Sequence, residues 1–216
     1  MVRCLPWPIQ TVLPNPYDAA LFRPDTGSRP RDAVFVGRLI REKGAHILIE
    51  ALGIVHRAGK PFAATIIGSG PERADLEKLS RARGVHSWVH FAGELAGSSL
   101  PQQLNAHRIL VVPSLDEVFG IVALEGAACG CSVIASNVGG LPEAVGPSGG
   151  LFPAGDAASL AAKLIEALDR KTIDASIGLG QKQHLQAHTP ASVARAYLEI
   201  LEGVASKRTG RVQSPT

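Results

Sequence analysis

The chain has 216 residues, 45% of them hydrophobic, which is enough for one large domain or for one standard domain with extensions. A formal net charge of +3 is too small to indicate a nucleic-acid-binding protein, and no apolar run approaches the roughly 20 residues of a membrane span. Three cysteines (Cys4, Cys129 and Cys131) are too few for a disulfide framework, which favours a reducing, cytoplasmic location.

The first 32 residues are rich in proline and show no hydrophobic periodicity. The prolines in this segment are Pro6, Pro8, Pro14, Pro16, Pro24 and Pro30. Such a composition is typical of an extended lead-in or linker, not of a folded unit. We therefore predict a linker over residues 1–32, one folded domain over residues 33–205, and a disordered basic tail over residues 206–216.

The middle of the chain alternates between short apolar runs and longer segments of helical character. The apolar runs predict strands at Ala33–Val36, Phe62–Ile67, Trp88–Phe91, Ile109–Val112, Val133–Ala135 and Gly150–Pro153. The other segments predict helices from Ala45, around Leu76 and Leu79, over Leu100–His107, after Gly120, over Leu141–Val145, over Asp156–Leu168 and over Pro190–Val204. Apolar strands that alternate with helices predict a parallel sheet covered on both faces. The predicted fold class is therefore α/β, a doubly wound, Rossmann-like domain.

Glycines and unusual charges cluster where the predicted strands end. Arg38 and Lys43 follow the first strand, and Gly70 follows the second. Glu117 and a helix start follow the strand that ends at Val112. Ligands of a doubly wound sheet bind at the carboxyl ends of its strands. Two cations, free N–H groups at a helix N-terminus and close-approach glycines favour a diphosphate, and nearby carboxylates suit the hydroxyls of ribose and sugars.

Each of these features also has a plainer interpretation. Arg38 and Lys43 could belong to a solvated loop. Glu125, the lone carboxylate of an otherwise apolar helix, could be capped by backbone amides of a neighbouring loop. The Gly68–Pro71 turn lacks the third glycine of a dinucleotide fingerprint and carries a proline instead, which argues against NAD.

The remaining candidate for special chemistry is the pair Cys129 and Cys131. The two thiols could bind a metal ion, but they lie among small apolar residues at a helix end and lack a second pair of ligands. We therefore predict no metal site. The histidines are scattered along the chain and are interpreted as surface or packing residues.

Taken together, these motifs resemble the nucleotide-sugar-binding, C-terminal half of a GT-B glycosyltransferase of the retaining family 4 group (glycosyl transferases group 1). The matching segments are Gly37–Gly44 with the pattern G-R-L-x-x-x-K-G, Gly68–Pro71 with G-x-G-P, Pro113–Glu125 with P-S-x-x-E-x-F-G-x-x-x-x-E, and Gly139–Glu143 with G-G-x-P-E. Parts of Leu13–Pro24 also resemble the segment that crosses between the two domains in this family. The resemblance covers roughly Leu13 to Leu168, and its strength comes from several motifs in the same order.

The resemblance implies a role for each matched residue. Arg38 and Lys43 would neutralise the diphosphate of the donor, on which charge builds as the glycosidic bond breaks. Glu117 would hold the hydroxyls of the transferred sugar, and these three residues are the catalytic candidates. The donor-binding candidates are Gly37, Gly70, Val118, Phe119, Gly120, Ile121 and Glu125, with Glu125 on the ribose hydroxyls.

The resemblance also implies a reaction. A hexose would move from a UDP- or GDP-type nucleotide sugar to a glycan or lipid-linked acceptor, with retention of configuration and without a cofactor or bound metal. Two departures from the family pattern, Pro16 in the linker and Cys131-Ser132 before a strand, touch none of the proposed charges. The acceptor-binding N-terminal domain of the family has no counterpart in this sequence, so we expect the chain to need a separate or deleted half for turnover.

Two other functions are compatible with the same residues. The chain could be a non-catalytic module that binds a nucleotide or a sugar nucleotide and serves a partner protein. It could also be an inactive, truncated remnant that self-associates through the face where the family's two domains meet. Binding of a nucleotide sugar distinguishes the transferase and the binding module from the inactive remnant.

Overall fold

The computed structural model describes residues 13–95, 97–169 and 178–209. The strands are β1 (Arg31–Val36), β2 (Ala64–Ile67), β3 (Val89–Gly93), β4 (His107–Val112), β5 (Ser132–Ser136) and β6 (Gly150–Phe152). The helices are α1 (Ala45–Arg57), α2 (Arg73–Ala82), α3 (Ser99–Ala106), α4 (Ile121–Ala128), α5 (Leu141–Val145), α6 (Ala157–Asp169), α7 (Leu179–Ala187) and α8 (Pro190–Thr209). Short 3₁₀ turns lie at Arg41–Lys43 and His86–Trp88.

The strands form one parallel sheet in the order β3-β2-β1-β4-β5-β6. The chain adds strands in one direction from β1 to β3, then returns to the other side of β1 and continues to β6. The loops after β1 and β4 therefore separate at the point where the order reverses, and a crevice opens between them. The predicted doubly wound α/β fold is confirmed.

Two apolar layers cover the sheet, one on each face. Alternate strand residues point to opposite faces, so that Phe35 belongs to one layer and its neighbour Val34 to the other. Helices α1 and α6 pack on the first face through residues such as Leu52 and Leu164. Helices α3, α4 and α5 pack on the second face, where Leu124 of α4 is completely buried.

Two boundaries of secondary-structure elements differ from the predicted ones because of strand pairing. Strand β1 begins at Arg31, two residues inside the predicted linker, because Arg31 pairs with His107 of β4. For the same reason the helix predicted over Leu100–His107 ends at Ala106, and His107 is the first residue of β4. In both places the backbone pairing of a neighbouring strand decides the boundary, and hydropathy alone does not show it.

The described part of the lead-in, residues 13–30, contains no helix or strand but packs on the domain. Tyr17 and Phe22 are buried in the second apolar layer. The Arg29 guanidinium donates hydrogen bonds to the backbone carbonyls of Leu104 and His107, at 3.2 and 2.9 Å. This segment therefore contributes side chains to the core and approaches the sheet close to α4.

The C-terminal region differs from the prediction in two ways. Helix α7 was not predicted, because it has few apolar residues and no clear hydrophobic period. Helix α8 continues to Thr209, four residues into the predicted tail, and the rest of that tail lies outside the described residues. Within the described residues, no helix is long and apolar enough to cross a membrane.

Candidate functional site

A cavity of about 240 Å³ lies in the crevice between the loops that follow β1 and β4. Six of the predicted site residues line it: Gly37, Lys43, Glu117, Gly120, Ile121 and Glu125. Three of these residues, Lys43, Glu117 and Glu125, bring ionisable side chains to the crevice from three separate segments of the chain. The cavity therefore coincides with the place where the sequence predicts ligand binding.

The closest polar contact in the cavity is an ion pair between Lys43 and Glu117. The Lys43 Nζ donates to the Glu117 Oε2 at 2.6 Å, and the two side chains are only 25% and 13% exposed. The Ser114 hydroxyl lies 3.3 Å from the same carboxylate oxygen. A charged pair so poorly exposed interacts more strongly than a surface pair, because little water screens it.

Backbone contacts bring the two charges together. The N–H of Leu115 donates to the carbonyl of Glu42 at 2.7 Å, which ties the loop after β4 to the 3₁₀ turn that carries Lys43. Gly44 has φ +70° and lies so close to the Pro113 carbonyl that a Cβ would overlap it. The short distance between Lys43 and Glu117 is thus set by main-chain packing as well as by charge.

A second layer of contacts holds the Glu117 loop from behind. The Ser136 hydroxyl donates to the Ser114 carbonyl at 2.5 Å, across from the next strand. The N–H of Gly140 donates to the Glu117 carbonyl at 3.3 Å, and a Cβ on Gly139 would overlap that carbonyl. The Gly139-Gly140 motif therefore supports the loop that presents Glu117.

Helix α4 begins at the floor of the cavity. Gly120, with φ +91°, precedes its first residue Ile121 and turns the chain sharply into the helix. The first N–H groups of a helix lack the usual partner four residues back and carry partial positive charge. In α4 the Ala123 N–H donates to the Gly120 carbonyl at 2.9 Å, and no such bond is made by the N–H groups of Ile121 and Val122 to other described residues. Phe119 is buried beside the His188 ring, whereas Val118 is 93% exposed. The backbone around Gly120 is therefore positioned to receive an anion.

Glu125 is the carboxylate whose surroundings differ most from water. Burial, together with the negative charge of Asp18, raises the pKa of Glu125 to about 7. Among the described residues we find no group that donates a hydrogen bond to it, so the predicted alternative of a backbone cap is wrong. A half-buried carboxylate without a donor is costly for the protein and available to a ligand that supplies hydroxyl groups.

Asp18 was not among the predicted site residues. It lies on the lead-in, and its Oδ1 accepts the N–H groups of Ala20 and Leu21, both at 3.0 Å. This turn places the Asp18 charge near Glu125 although the two residues are distant in the sequence. In the sequence, the lead-in resembles a segment that crosses between two domains. This resemblance does not indicate that Asp18 lies near Glu125.

Four predicted site residues lie outside the walls of the cavity. Arg38 is exposed and, within the described part of the chain, makes no side-chain hydrogen bond or ion pair. Gly70 acts on the backbone, because a Cβ there would overlap the Leu39 carbonyl and push away the loop that carries Arg38. Val118 and Phe119 directly precede Gly120 in the sequence and do not line the cavity.

The two described cysteines are packing residues. Cys129 and Cys131 are buried and free, and burial raises the pKa of each thiol to about 12. The thiolate form, which binds metals, is therefore disfavoured at both positions. Within the described residues, no group of three or more histidine, cysteine, aspartate or glutamate side chains is arranged to hold a metal ion.

Comparison with known proteins gives a consistent result. The family model of glycosyl transferases group 1 matches residues 19–183. The chain is similar to a glycogen synthase from Mycobacterium tuberculosis, with 39% identity over 166 residues. This match covers 74% of the chain and 40% of the synthase, so the chain spans less than half the length of that relative.

Solved structures show the same similarity. HepE of Anabaena, in a complex with UDP and glucose, is 26% identical with a TM-score of 0.77, and the match covers 89% of this chain and 57% of HepE. The C-terminal domain of the group 1 glycosyltransferase LpcC from Francisella tularensis has the same fold, with a TM-score of 0.69 at 24% identity. That match covers 79% of this chain and 97% of the LpcC domain. The chain therefore belongs to the glycosyl transferases group 1 family and has the fold of one half of a GT-B glycosyltransferase.

Proposed function

We propose that this chain is the donor-binding half of a glycosyltransferase that moves a hexose from a nucleotide-diphosphate sugar to a glycan or lipid-linked acceptor. The observation that carries the proposal is the set of groups in one cavity: the Lys43–Glu117 ion pair, the start of α4, and the carboxylate of Glu125 without a donor. These groups match the three parts of such a donor, namely its diphosphate, its sugar hydroxyls and its ribose hydroxyls.

Lys43 and the start of α4 would bind the diphosphate. Lys43 is held at the crevice by Glu117, at 2.6 Å. A diphosphate carries more negative charge than one carboxylate, so it competes for the ammonium group and for the free N–H groups at the helix start. Arg38, which is exposed on the loop after β1 and does not line the cavity, would supply a second cation. Positive charge at this place stabilises the leaving nucleotide as the glycosidic bond breaks.

The two carboxylates would orient the sugar and the nucleoside. Once Lys43 turns to the diphosphate, Glu117 is free to accept hydrogen bonds from the hydroxyls of the hexose. Glu125 would accept hydrogen bonds from the ribose hydroxyls. Its raised pKa supports this role, because a ligand that donates two hydrogen bonds favours the ionised form that burial disfavours.

We propose catalysis without a bound metal or cofactor, with the same charges supplying the positive charge that the reaction needs. Lys43, Arg38 and the start of α4 provide the positive charge that a divalent cation provides in other transferases. We further propose transfer with retention of configuration, with departure and attack on the same face of the sugar. The buried free thiols of Cys129 and Cys131 support a reducing, cytoplasmic location.

The proposed reaction also needs an acceptor site, in addition to the cavity described above. The described cavity holds groups for a donor, and a transferase needs a second surface that positions the acceptor hydroxyl. The glycogen synthase and HepE are both longer than this chain, which matches 40% of the synthase and 57% of HepE. We therefore expect turnover to require an acceptor-binding half, and the domain by itself to bind donors without transferring sugar efficiently.

Calorimetric titration tests the proposal. The chain is titrated with UDP, GDP and ADP and with their glucose conjugates, in the presence and absence of EDTA. We expect saturable binding of one nucleotide, tighter for its sugar conjugate and unchanged by EDTA. Glu125→Ala should weaken binding by about ten- to a hundred-fold, because a charge-assisted hydrogen bond contributes about 1.5–3 kcal/mol.

The outcome also distinguishes the alternatives. Lack of binding to every nucleotide would contradict the proposal and favour an inactive remnant. A nucleotide affinity that Glu125→Ala leaves unchanged would place the nucleotide outside the cavity. If a donor binds, adding an acceptor-binding half from a family member should restore sugar transfer, whereas a binding module would stay inactive.

A further inference from the structure

A second cavity, larger than the first, lies at the opposite edge of the sheet. Its volume is about 480 Å³, and it opens at the amino ends of β1, β2, β3 and β4. Arg31, Asp32, Trp88, His90 and His107 are among the residues that line it. The site at the carboxyl ends does not use any of these residues, so the second cavity has no role in donor binding.

The floor of this cavity is a rigid polar network. His107 is completely buried, with its Nδ1 2.6 Å from the Gln103 carbonyl and its Nε2 2.9 Å from the Thr65 hydroxyl. Since a carbonyl only accepts, Nδ1 carries the proton, and the neutral Nε2 accepts from the hydroxyl. Burial lowers the pKa of His107, which keeps the ring neutral. The floor is therefore fixed in one arrangement.

One wall of the cavity is an aromatic side chain. Trp88 is 40% exposed, although a large apolar side chain is usually more buried. The His56 ring packs against it in an edge-on arrangement, with 4.8 Å between ring centroids. His56 is in turn fixed by the Phe62 carbonyl, 2.9 Å from its Nε2. The indole is thus held in place while part of its surface stays open to the cavity.

The rim carries charges of both signs that are already oriented. The Arg31 guanidinium donates to the Gln103 side-chain oxygen at 2.8 Å. One oxygen of Asp32 accepts the N–H of Ala63 at 3.0 Å, and the other lies 3.9 Å from Arg108. Each of these groups keeps further donor or acceptor capacity. A cavity of this kind offers an aromatic surface together with both donors and acceptors.

We propose that this cavity binds a neutral oligosaccharide. A sugar ring has an apolar face that packs on an indole and a rim of hydroxyls that both donate and accept hydrogen bonds, which matches the wall and the rim described above. An anion fits less well, because α3 ends at Ala106 beside the cavity and directs the negative end of its dipole there. The site would hold a glycan chain on the domain without taking part in chemistry.

Tryptophan fluorescence tests this proposal directly. The sequence has two tryptophans, so Trp7→Phe leaves Trp88 as the single reporter. This variant is titrated with maltoheptaose, cellopentaose and mannopentaose. We expect a saturable change in emission with at least one of them, with Kd of about 1 mM, as is usual for a shallow polar site. The absence of a saturable change with all three probes would overturn the proposal.

Calorimetry with matched variants locates the site. Trp88→Ala and Arg31→Ala should each weaken binding of the same oligosaccharide by about five-fold or more. Tyr197→Ala removes another exposed aromatic residue, on α8, and should leave it unchanged. Equal affinity of wild type and Trp88→Ala would overturn the proposal. Circular dichroism confirms that each variant is folded.

The two sites can be tested independently. Glu125→Gln should weaken nucleotide binding and leave oligosaccharide binding unchanged, and saturating UDP should not displace the oligosaccharide. Displacement by UDP would place the glycan in the donor cavity and overturn the proposal. Failure of nucleotide binding alone would contradict the proposed function and leave this second site intact, since its readout does not depend on sugar transfer.

Discussion

Buried polar groups at the two ends of the same parallel strands differ in whether the protein supplies their hydrogen-bond partners. At the amino ends, His107 has a protein partner for each ring nitrogen. At the carboxyl ends, Glu125 is half-buried with a pKa raised to about 7 and has no donor among the described residues. Buried polar groups that the protein satisfies add stability, whereas those it leaves unsatisfied cost stability and favour a ligand. The comparison therefore separates a polar group that the protein itself satisfies from one that stays available to a ligand.

The two cavities also differ in how the main chain builds them. Around the carboxyl-end cavity, several glycines lie where a Cβ would overlap a neighbouring carbonyl or side chain, as at Gly44, Gly120 and Gly139. The residues that line the amino-end cavity include no glycine. Close approach of main chain to main chain is what assembles the carboxyl-end cavity from separate loops. The amino-end cavity is built mainly by side chains on strands.

Lys43→Ala should give the largest functional effect. The substitution removes the cation of the diphosphate site and leaves Glu117 without its partner. We expect nucleotide-diphosphate affinity to fall by roughly 30- to 100-fold, about 2–3 kcal/mol, since the lost contact is charge-assisted. Calorimetric titration with the preferred nucleotide measures this loss of affinity.

Two controls sharpen this result. Lys43→Arg keeps the charge and should retain part of the affinity. Lys78→Ala removes an exposed lysine that pairs with Asp75 on α2 and should have no effect. If Lys43→Ala binds nucleotide as tightly as wild type, the ion pair is a structural feature and the contrast between the two ends fails.

His107→Leu should show the opposite behaviour, a loss of stability without a loss of nucleotide binding. The substitution leaves the Gln103 carbonyl and the Thr65 hydroxyl without a partner in a buried place. We expect the free energy of unfolding to fall by about 2 kcal/mol, which lowers Tm by roughly 4–8 °C for a chain of this length. Thermal unfolding followed by circular dichroism measures it, and unchanged Tm would contradict the structural role assigned to His107.

Glu125→Gln should change the pH dependence of binding. The ordinary pKa of this carboxyl is near 4.5 and the folded value is about 7, so the ionised form, which the proposed contact with ribose hydroxyls needs, becomes common only above pH 7. We expect wild-type nucleotide affinity to rise between pH 6 and pH 8, and the variant to be about tenfold weaker at pH 8 and nearly independent of pH. Titrations at several pH values, with one nucleotide, measure it.

The same substitution should affect stability with a definite sign. Because the folded pKa of Glu125 is raised, the carboxyl lowers stability as pH rises from about 4.5 through about 7. Glu125→Gln should therefore be more stable than wild type at pH 8, by about 2 kcal/mol after allowance for partial exposure, and little different at pH 4. A variant that is less stable than wild type at pH 8 would contradict the unsatisfied state of Glu125.

Ser136→Ala should have the smallest effect of this group. The substitution removes the hydroxyl that donates to the Ser114 carbonyl behind the Glu117 loop. We expect a loss of about 1 kcal/mol in stability and only a few-fold change in nucleotide affinity. Urea denaturation gives the first value, and an affinity loss as large as that of Lys43→Ala would mean that the loop depends on this contact alone.

The position of the carboxyl-end cavity was largely predictable, because the residues that point to it are local in the sequence. Glycines and charges directly follow apolar strands, and the carboxyl ends of neighbouring strands meet at one edge of a parallel sheet. The ion pair between Lys43 and Glu117 was not predicted, because it joins residues from two loops. The effect of Asp18 on Glu125 was missed for the same reason.

The amino-end cavity was not predicted at all. Arg31, Trp88 and His107 lie on or beside three different strands, and none of them belongs to a local motif. Their proximity follows from strand order and register, which the sequence does not give directly. Helix α7 was also missed, because it packs through Leu185 and the side chain of Gln181, too few apolar residues for a hydrophobic period.

A crystal structure of the chain with a bound nucleotide sugar tests the central claim most directly. The account predicts that the diphosphate lies at the start of α4 within hydrogen-bonding distance of the Lys43 Nζ, which has left Glu117, and that the ribose hydroxyls donate to Glu125. A nucleotide bound anywhere else, or one that leaves the Lys43–Glu117 pair closed and Glu125 without a partner, would contradict it.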